Sequence, residues 1–508
     1  MGASTADADV LHACSWRWVN LLLYDAFEPA GKGVFRLPAG HEKDANKRIL
    51  TVLANSQRLN SLEVRAISSL GSIFALRMFG LFLILPVFAL YAEELEGHTA
   101  FLIGLALGAY GLTQAILQIP FGLMSDRFGR KPVIAGGLVI FCIGSVVAAS
   151  ADSIVGVVLG RALQGAGAIA AAIMALVADL TREESRTKAM MLIGITIGAS
   201  FVMSLLFGPV LNELIGVGGI FWLTAILALV GVGILFLWVP EPVRSSRHMD
   251  TRAVPAQFGR VLTDADLLRL NIGIFVLHCV LTALFVVVPI ALVEQVGLAS
   301  HRHWQVYLPV MVVSVAVIFP AIVLAERKRR IRYVFSGAVL ILALSQGVLL
   351  QQPSLAQIGF GLFLFFLGFN FLEAALPSLV SRTAPVSYKG TALGVYSTFE
   401  FLGAFTGGAI GGWLYGSYGM AAVFQFSGLA ALVWFLVVLT MREPDRVTTR
   451  LLRVRSHRPD EARALAERLG AITGVTEAVV IAEEGVAYLK VDSRVLDEKA
   501  LSELGRST

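Results

Sequence analysis

Long apolar stretches recur between residues 71 and 440, and each is nearly free of charged side chains. A stretch of about 20 such residues is long enough to cross a bilayer as a helix. Helices are favoured because lipid cannot satisfy backbone polar groups, whereas barrel strands are shorter and alternate. The pattern therefore predicts twelve membrane-spanning helices, at residues 71–92, 99–123, 132–150, 153–179, 187–212, 217–239, 270–293, 304–325, 333–351, 355–381, 388–414 and 419–440.

The twelve predicted spans form two sets of six. In each set the second span runs into a basic hairpin, and a polar linker separates the sets. This repeat predicts an all-α polytopic membrane protein with two six-helix bundles around a central site, plus a small α+β cytoplasmic domain. The predicted divisions are an N-terminal cytoplasmic extension at 1–65, the first bundle at 66–239, the linker at 240–269, the second bundle at 270–441 and the small domain at 448–508.

Composition supports this class of protein. Hydrophobic residues make up 56% of the chain, charged residues 15%, and the mean hydropathy is +0.75, far from the values of soluble domains. Cys14, Cys142 and Cys279 lie far apart and suggest neither a disulfide framework nor a metal site. No phosphate-binding glycine loop or nucleophile elbow is evident, so we expect no enzymatic activity and no cofactor.

Basic residues predict the orientation of the spans. The loops after spans 2, 4, 6, 8 and 10 carry eighteen Lys and Arg residues, whereas the intervening loops carry only Arg302. Cytoplasmic loops are enriched in Lys and Arg, so both termini are expected to face the cytoplasm. The net charge of +5 follows from this topology, and no nucleic-acid partner is expected.

The segment after the last span reads as a soluble domain. Strand, helix and hairpin patterns at 451–455, 459–469, 475–482 and 486–492, then a second helix at 496–504, predict a ferredoxin-like fold without a clear last strand. The domain resembles heavy-metal-associated domains in outline. Its loop at 456–460 has no cysteine, which excludes their mode of metal binding. A regulatory or ligand-sensing role and a purely structural role both stay open.

The N-terminal segment 1–55 mixes aromatic, glycine and charged residues without sustained periodicity. Its apolar stretch is too short to span a membrane and has no signal-peptide cleavage pattern. Two interpretations are a disordered or interfacial cytoplasmic tail, and residues translated from upstream of the native start. We favour the second.

The first basic hairpin carries a specific motif. Residues 122–131 read Gly-Leu-Met-Ser-Asp-Arg-Phe-Gly-Arg-Lys, and they match Gly-x-x-x-Asp-Arg-x-Gly-Arg-Lys/Arg at every specified position. A second pattern, Arg-x-x-Gln-Gly-x-Gly, begins at Arg161 in span 4. With these motifs the chain resembles transporters of the major facilitator superfamily, of the drug:proton antiporter type. The resemblance extends over segments at 74–80, 110–115, 160–165, 179–183, 370–373 and 388–397.

The resemblance implies a conformational latch at the hairpin. It assigns Asp126 to the N-terminal end of a helix in the other half, with Arg130 bridging Asp126 to Asp179. A carboxylate is favoured at a helix N-terminus, and arginine binds carboxylates well. Gly122 would permit close helix approach and Gly129 the tight turn. The full predicted set is Gly122, Asp126, Arg127, Gly129, Arg130 and Asp179; the alternative is that these charges only determine topology.

Ionisable side chains inside spans are costly and are therefore functional candidates. The predicted proton-coupling or cavity residues are Arg77, Arg161, Gln164, His278, Glu373 and Glu400. The resemblance implicates Arg161 and Gln164 in proton coupling, with Arg161 influencing a nearby carboxylate; the alternative is a packing ion pair. Glu373 is the preferred proton carrier. His278 is interpreted as a buried histidine with satisfied hydrogen bonds, and Glu400 is alternatively a water-facing residue.

These features predict a secondary active transporter of a small organic solute, working by alternating access in the inner membrane. Export in exchange for protons is the preferred interpretation, by a monomer whose partners are the solute, protons and the lipid bilayer. The alternatives are uptake by proton symport and a membrane sensor that signals through the C-terminal domain. The sequence does not identify the solute.

Overall fold

The computed structural model describes most of the chain. The described residues are 59–241, 257–327, 331–351, 354–385, 388–441, 447–454, 459–482, 485–492, 495–498 and 500–501. The interpretations of residues 1–55 and of the middle of the linker lie outside these ranges, as does most of the loop at 456–460.

The first bundle is built from helices α1 to α7. They are α1 (Ser61–Phe82), α2 (Phe88–Ala92), α3 (Ala100–Phe128), α4 (Arg130–Ala149), α5 (Ile154–Ala166), α6 (Ala170–Leu180) and α7 (Glu183–Leu237). Helix α7 contains two crossings, because Gly216 interrupts it with φ 67° and ψ 171°. Helices α5 and α6 form a single crossing that is interrupted between Ala166 and Ala170.

The first helix begins ten residues earlier than the predicted span at 71–92. Asn60 accepts a 2.7 Å hydrogen bond from the Glu63 amide, and the Glu63 carboxylate accepts one from the Asn60 amide. This capping box fixes the start of α1 at Ser61. The predicted extension at 1–65 was therefore too long, since residues 61–65 belong to the helix.

The second bundle follows a short linker helix. Its elements are α8 (Phe258–Thr263) in the linker, α9 (Ala265–Glu294), α10 (Trp304–Arg327), α11 (Ile331–Leu349), α12 (Leu355–Thr383), α13 (Lys389–Tyr418) and α14 (Met420–Leu439). Within the described residues, nine helical segments are apolar and long enough to cross a membrane, and one of them, Lys188–Leu237, is 50 residues long. That segment makes two crossings, and α10 and α13 complete the predicted twelve.

The two bundles share one apolar core at only one end. We call the end with the turn at Gly129 the hairpin end, and the other the far end. Near the hairpin end the first bundle has a core of its own, which includes Phe74, Phe121 and Leu176. Near the far end its residues, such as Phe88 and Phe221, join the core of the second bundle. The halves therefore pack together most continuously at the far end.

Glycines bring α3 and α13 into backbone contact at the far end. A Cβ atom at Gly104 would overlap the carbonyl oxygen of Gly408, and one at Gly108 would lie 2.7 Å from the Phe405 carbonyl oxygen. No side chain fits between backbones at that distance. The glycines thus permit the close approach of the two halves.

The C-terminal domain contains a three-stranded antiparallel sheet in the order β1-β3-β2. Its strands are β1 (Val447–Arg453), β2 (Val475–Ile481) and β3 (Val486–Asp492), and α15 (Pro459–Gly470) follows β1. The central position of β3 gives the split βαβ arrangement of the ferredoxin-like fold, as predicted. Strand β1 begins earlier than the predicted 451–455. Of the predicted second helix at 496–504, residues 498, 500 and 501 are helical, and residues 499 and 502–504 lie outside the described ranges.

Candidate transport site

Three residues of the predicted latch meet at the hairpin end. Arg130 pairs with Asp126 across the turn at Gly129, and its Nε lies 3.2 Å from Asp179 Oδ2. Its Nη1 also donates a 2.7 Å hydrogen bond to Ser125 Oγ. The Asp179 side chain is fully buried. Arg130 therefore links the end of α3 to the end of α6, as the motif predicted, and Ser125 is an addition that sequence reasoning missed.

The two motif glycines occupy positions that only glycine tolerates well. Gly129 adopts φ 94° between α3 and α4, which L side chains rarely adopt. A Cβ at Gly122 would lie 3.3 Å from Ala171 Cβ on α6, a tight contact. The sharp turn and the close packing both position the carboxylates around Arg130.

Two other basic residues of the hairpin have different environments. Arg127 is exposed, with its guanidinium 5.4 Å from the centre of the Phe128 ring, outside the Arg130 cluster. Lys131 is buried and donates hydrogen bonds of 2.8 Å to the Val239 carbonyl oxygen and 2.6 Å to Glu241. Lys131 thus ties the hairpin to the end of α7, a role that its place in a basic loop did not reveal.

A second ion pair at the hairpin end was missed by sequence reasoning. Glu63 accepts three hydrogen bonds of 2.9 Å from Arg182: from its backbone amide, from Nε and from Nη2. The pair joins the start of α1 to the α6–α7 connection. It was missed because the first span was predicted to begin after Glu63.

Arg77 lies at the centre of the first bundle with 1% of its surface exposed. Its Nη2 donates 2.9 Å hydrogen bonds to Gln114 Oε1 and to the carbonyl oxygen of Gly167. Gly167 lies in the break between α5 and α6, where helix interruption leaves carbonyls available. The guanidinium also stacks near Phe141, 5.3 Å from the ring centre. The break in the crossing therefore helps to hold a buried cation.

Arg161 and Gln164 are also buried in the first bundle, where they form a second polar cluster. Arg161 Nη1 donates a 2.7 Å hydrogen bond to Gln164 Oε1, and Gln164 Nε2 donates one of 2.8 Å to Ser145. Tyr110 lies between the two arginines, whose guanidinium carbons are 5.7 Å and 5.4 Å from its ring centre. In the part of the chain that the structure describes, neither arginine makes an ion pair with a carboxylate. The packing ion pair considered for Arg161 is thus not seen.

His278, Glu373 and Glu400 meet in the second bundle, and we call them the second-half triad. They come from α9, α12 and α13, and one ligand atom of each lies within 4.8 Å of the others. His278 Nε2 is 3.7 Å from Glu400 Oε1 and 3.9 Å from Glu373 Oε2. Sequence reasoning favoured a buried histidine with satisfied hydrogen bonds at this position, whereas the fold places the largely buried His278 beside both carboxylates. Sequence reasoning did not find this relationship because His278 lies 90 residues or more from each glutamate along the chain.

The triad is partly accessible, and aromatic contacts near it connect the two bundles. The side chains of Glu373, Glu400 and His278 are 42%, 24% and 14% exposed. Phe401, next to Glu400, has its ring 6.1 Å from that of Tyr110. The carboxylates thus belong to the second half and the buried arginines to the first, with Tyr110 between them.

The C-terminal domain contacts the helix that carries Glu373. Lys490 on β3 is buried, and its Nζ donates hydrogen bonds of 2.6 Å to the Ala384 carbonyl oxygen and 3.3 Å to that of Thr383. Thr383 and Ala384 end α12, where unpaired carbonyls and the helix dipole favour a cation. The soluble domain is therefore docked on the second bundle through a charge-assisted cap.

Twelve crossings in two bundles, the hairpin motif and the intramembrane charges together define a membrane transporter. The sequence profile described as Major Facilitator Superfamily matches residues 70–408 and 324–478, and the chain belongs to this family. A second profile, the YajR YAM domain, matches residues 456–504.

Among named proteins, the chain is similar to the inner membrane transport protein YajR of Escherichia coli (strain K12). The two are 44% identical over 442 residues, which cover 87% of this chain and 97% of that protein. The multidrug resistance protein MdtH of Aeromonas hydrophila is 28% identical over 346 residues, covering 66% of this chain and 84% of that protein.

A solved structure with the same fold is the human organic anion transporter MFSD10 (TETRAN). It has a TM-score of 0.57 and 19% sequence identity, and the match covers 75% of this chain and 100% of that one. An auto-inhibited peptide transporter of the POT family gives a TM-score of 0.58 and 16% identity, covering 75% of this chain and 98% of that one. These likenesses concern the fold of the membrane domain.

Proposed function

We propose that this transporter exports a small organic solute in exchange for protons, which bind to the second-half triad. The observation that carries the proposal is the convergence of His278, Glu373 and Glu400 from three helices at a partly accessible position. Ionisable groups within a membrane domain are costly unless they serve a pathway or pair with one another. In the proposed cycle, protons and a cationic solute alternately neutralise this site.

The electrostatics of the triad support alternate occupancy. Two carboxylates within 4.8 Å of each other repel when both are ionised, so a cation bound between them relieves the repulsion. Tyr396 on α13 lies close enough to interact with both. The cations Arg77 and Arg161 lie across the interface and oppose accumulation of positive charge there. Proton and solute therefore compete, which is the requirement for exchange.

The direction of transport and the membrane orientation are part of the same proposal. MdtH is named for multidrug resistance, which supports export, and YajR is named for the inner membrane. We assign the hairpin end and both termini to the cytoplasm from the distribution of basic residues. The protein would work as a monomer without enzymatic chemistry.

Alternating access would use the hairpin cluster as a latch. The structure joins the halves at the far end, where Gly104 and Gly408 meet. In the opposite state Asp126 would bind the N-terminal end of a helix in the second bundle, and the far end would open. Protonation of Asp126 would weaken that latch because it removes the charge that favours the helix end.

Proteoliposomes with an imposed pH gradient test the proposal. Solutes selected by thermal shift on the purified protein would be followed together with a pH-sensitive dye. Solute movement against the proton flow supports exchange, co-movement supports symport, and no flux with retained solute binding supports a sensor. Glu373→Gln and Glu400→Gln should abolish gradient-driven flux, whereas Glu213→Gln, at an exposed carboxylate of α7, should not.

The sensor function is the second candidate because of one observation. Lys490 connects the C-terminal domain to the end of α12, and Glu373 lies on the same helix. Occupancy of the triad could therefore be transmitted to the domain. Flux under the pH gradient contradicts a sensor that does not transport.

A further inference from the structure

The second-half triad presents three hydrogen-bond acceptors to one point. Glu373 Oε2, Glu400 Oε1 and His278 Nε2 lie within 4.8 Å of one another, yet His278 Nε2 is 3.7 Å and 3.9 Å from the two oxygens. These two separations exceed hydrogen-bond length. The three atoms therefore surround a gap rather than bind directly to one another.

The imidazole has a second contact through its other nitrogen. His278 Nδ1 lies 3.4 Å from the Ile274 carbonyl oxygen, which accepts a hydrogen bond when the ring hydrogen is on Nδ1. In that tautomer Nε2 presents its lone pair to the gap. Glu373 Oε2 is buried and makes no hydrogen bond in the structure. Two carboxylate oxygens and one nitrogen lone pair thus converge, and all three require a donor.

The spacing distinguishes between classes of cation. A metal ion with bonds of about 2.1 Å holds neighbouring ligands roughly 3.0 to 3.4 Å apart, which is less than the distances of 3.7 Å and 3.9 Å at His278. Hydrogen bonds of about 2.8 Å from one tetrahedral nitrogen place its acceptors up to about 4.6 Å apart. A primary ammonium group also has three N–H donors, one for each acceptor. The gap therefore fits an ammonium group better than a metal ion with bonds of about 2.1 Å.

The surroundings provide an apolar wall for the rest of such a molecule. The Phe369 ring lies 5.9 Å from the His278 ring, and it stacks with Phe365 at 5.6 Å and Phe201 at 6.1 Å. The partly exposed side of Glu373 leaves an approach to the gap. An amine with an aromatic or aliphatic body would place its charge in the gap and its body along these rings.

We propose that the second-half triad recognises a primary ammonium group, and that the exported solute is a primary amine with an apolar body. This inference rests on the proposed function, because the amine and the protons would compete for the same two carboxylates. It adds a specific requirement for three N–H donors. Quaternary ammonium compounds of the same charge and shape lack those donors and would bind poorly.

The test uses the purified full-length protein and two matched probes, benzylamine and benzyltrimethylammonium. Calorimetry should show binding of benzylamine, at least about tenfold tighter than that of the trimethylated compound, a factor worth 1.4 kcal/mol. Glu373→Gln and Glu400→Gln should each weaken benzylamine binding at least tenfold, and Glu213→Gln should leave it unchanged. Thermal melting of every variant checks folding.

Several outcomes would overturn the inference. Equal binding of the two probes shows recognition of charge alone, and binding of Mn²⁺ or Zn²⁺ without benzylamine shows a metal site. Retained benzylamine binding in both glutamine variants places the amine elsewhere. Loss of gradient-driven flux in those variants, without benzylamine binding to the unmodified protein, contradicts the amine class but supports proton exchange. Benzylamine binding without proton-linked flux would instead retain the amine site and refute exchange.

Discussion

Lys490 of the C-terminal domain caps Ala384, the residue that ends helix α12, with a hydrogen bond of 2.6 Å. The contact is buried and joins two parts of the chain that are 106 residues apart. It connects a soluble domain to the helix that carries Glu373. Docking of the domain and movement of α12 should therefore be coupled.

Lys490→Met should loosen the docked domain. Loss of a charge-assisted hydrogen bond costs about 1.5 to 3 kcal/mol, so hydrogen exchange at the end of α12 should become faster. Arg450→Met is the matched control, because Arg450 pairs with Glu498 at an exposed position of the same domain, and such pairs contribute little. Equal exchange rates in both variants would contradict a role for Lys490 in docking.

Asp126→Asn should slow transport at least about tenfold, a change of 1.4 kcal/mol in the barrier. The substitution keeps the shape of the side chain but removes the charge that pairs with Arg130. Solute flux and conformational exchange, followed by distance measurements between spin labels at the hairpin end, would be compared with Arg127→Gln. Arg127 is exposed outside the cluster. The latch is refuted when Asp126→Asn leaves both flux and exchange unchanged.

Gly104→Ala should shift the protein away from the conformation that is closed at the far end. The added methyl group would overlap the Gly408 carbonyl oxygen, which belongs to the backbone and cannot move aside as a side chain can. Gly136→Ala is the control, since nothing lies within 4 Å of a Cβ at that position. Spin-label distances across the far end should lengthen for Gly104→Ala only. Unchanged distances in both variants would contradict the prediction that this contact closes the far end.

His303 should make the connection before α10 sensitive to acid. Burial lowers the pKa of His303 from 6.5 to about 4, although a hydrogen bond to the Leu298 carbonyl oxygen opposes the shift. The folded protein therefore holds the ring neutral, while the unfolded chain takes up a proton as the pH falls below 6.5. The stability that His303 contributes is complete above pH 6.5 and decreases as the pH falls toward 4.

Thermal melting between pH 7 and pH 4.5 measures this effect. His303→Gln should melt with a weaker pH dependence than the unmodified protein, because it removes the group that binds the proton only when unfolded. His301→Gln provides the comparison at a partly exposed histidine of the same connection. A pH dependence that is identical in all three proteins would exclude His303 as the source.

Sequence patterns predicted the elements of the fold well because lipid leaves the chain few choices. Helices are required where long apolar stretches occur, so twelve crossings followed from the lengths of the stretches with few charges. Their ends were less certain. The capping box at Asn60 and Glu63 starts the first helix at Ser61, and the fourth crossing is interrupted at Gly167. Both features depend on single residues rather than on average composition, so hydropathy did not predict them.

The family resemblance also implied a local geometry at the hairpin, in which Arg130 bridges Asp126 and Asp179, and the structure shows these contacts. The relationship of His278 to Glu373 and Glu400 could not be predicted in that way. Those residues come from three helices, and hydropathy does not specify the rotation of each helix about its axis. The sequence by itself determined the class of protein, the number of crossings and the candidate charges. Tertiary packing alone decided which of those charges meet, because side-chain contacts between helices depend on how each helix faces its neighbours.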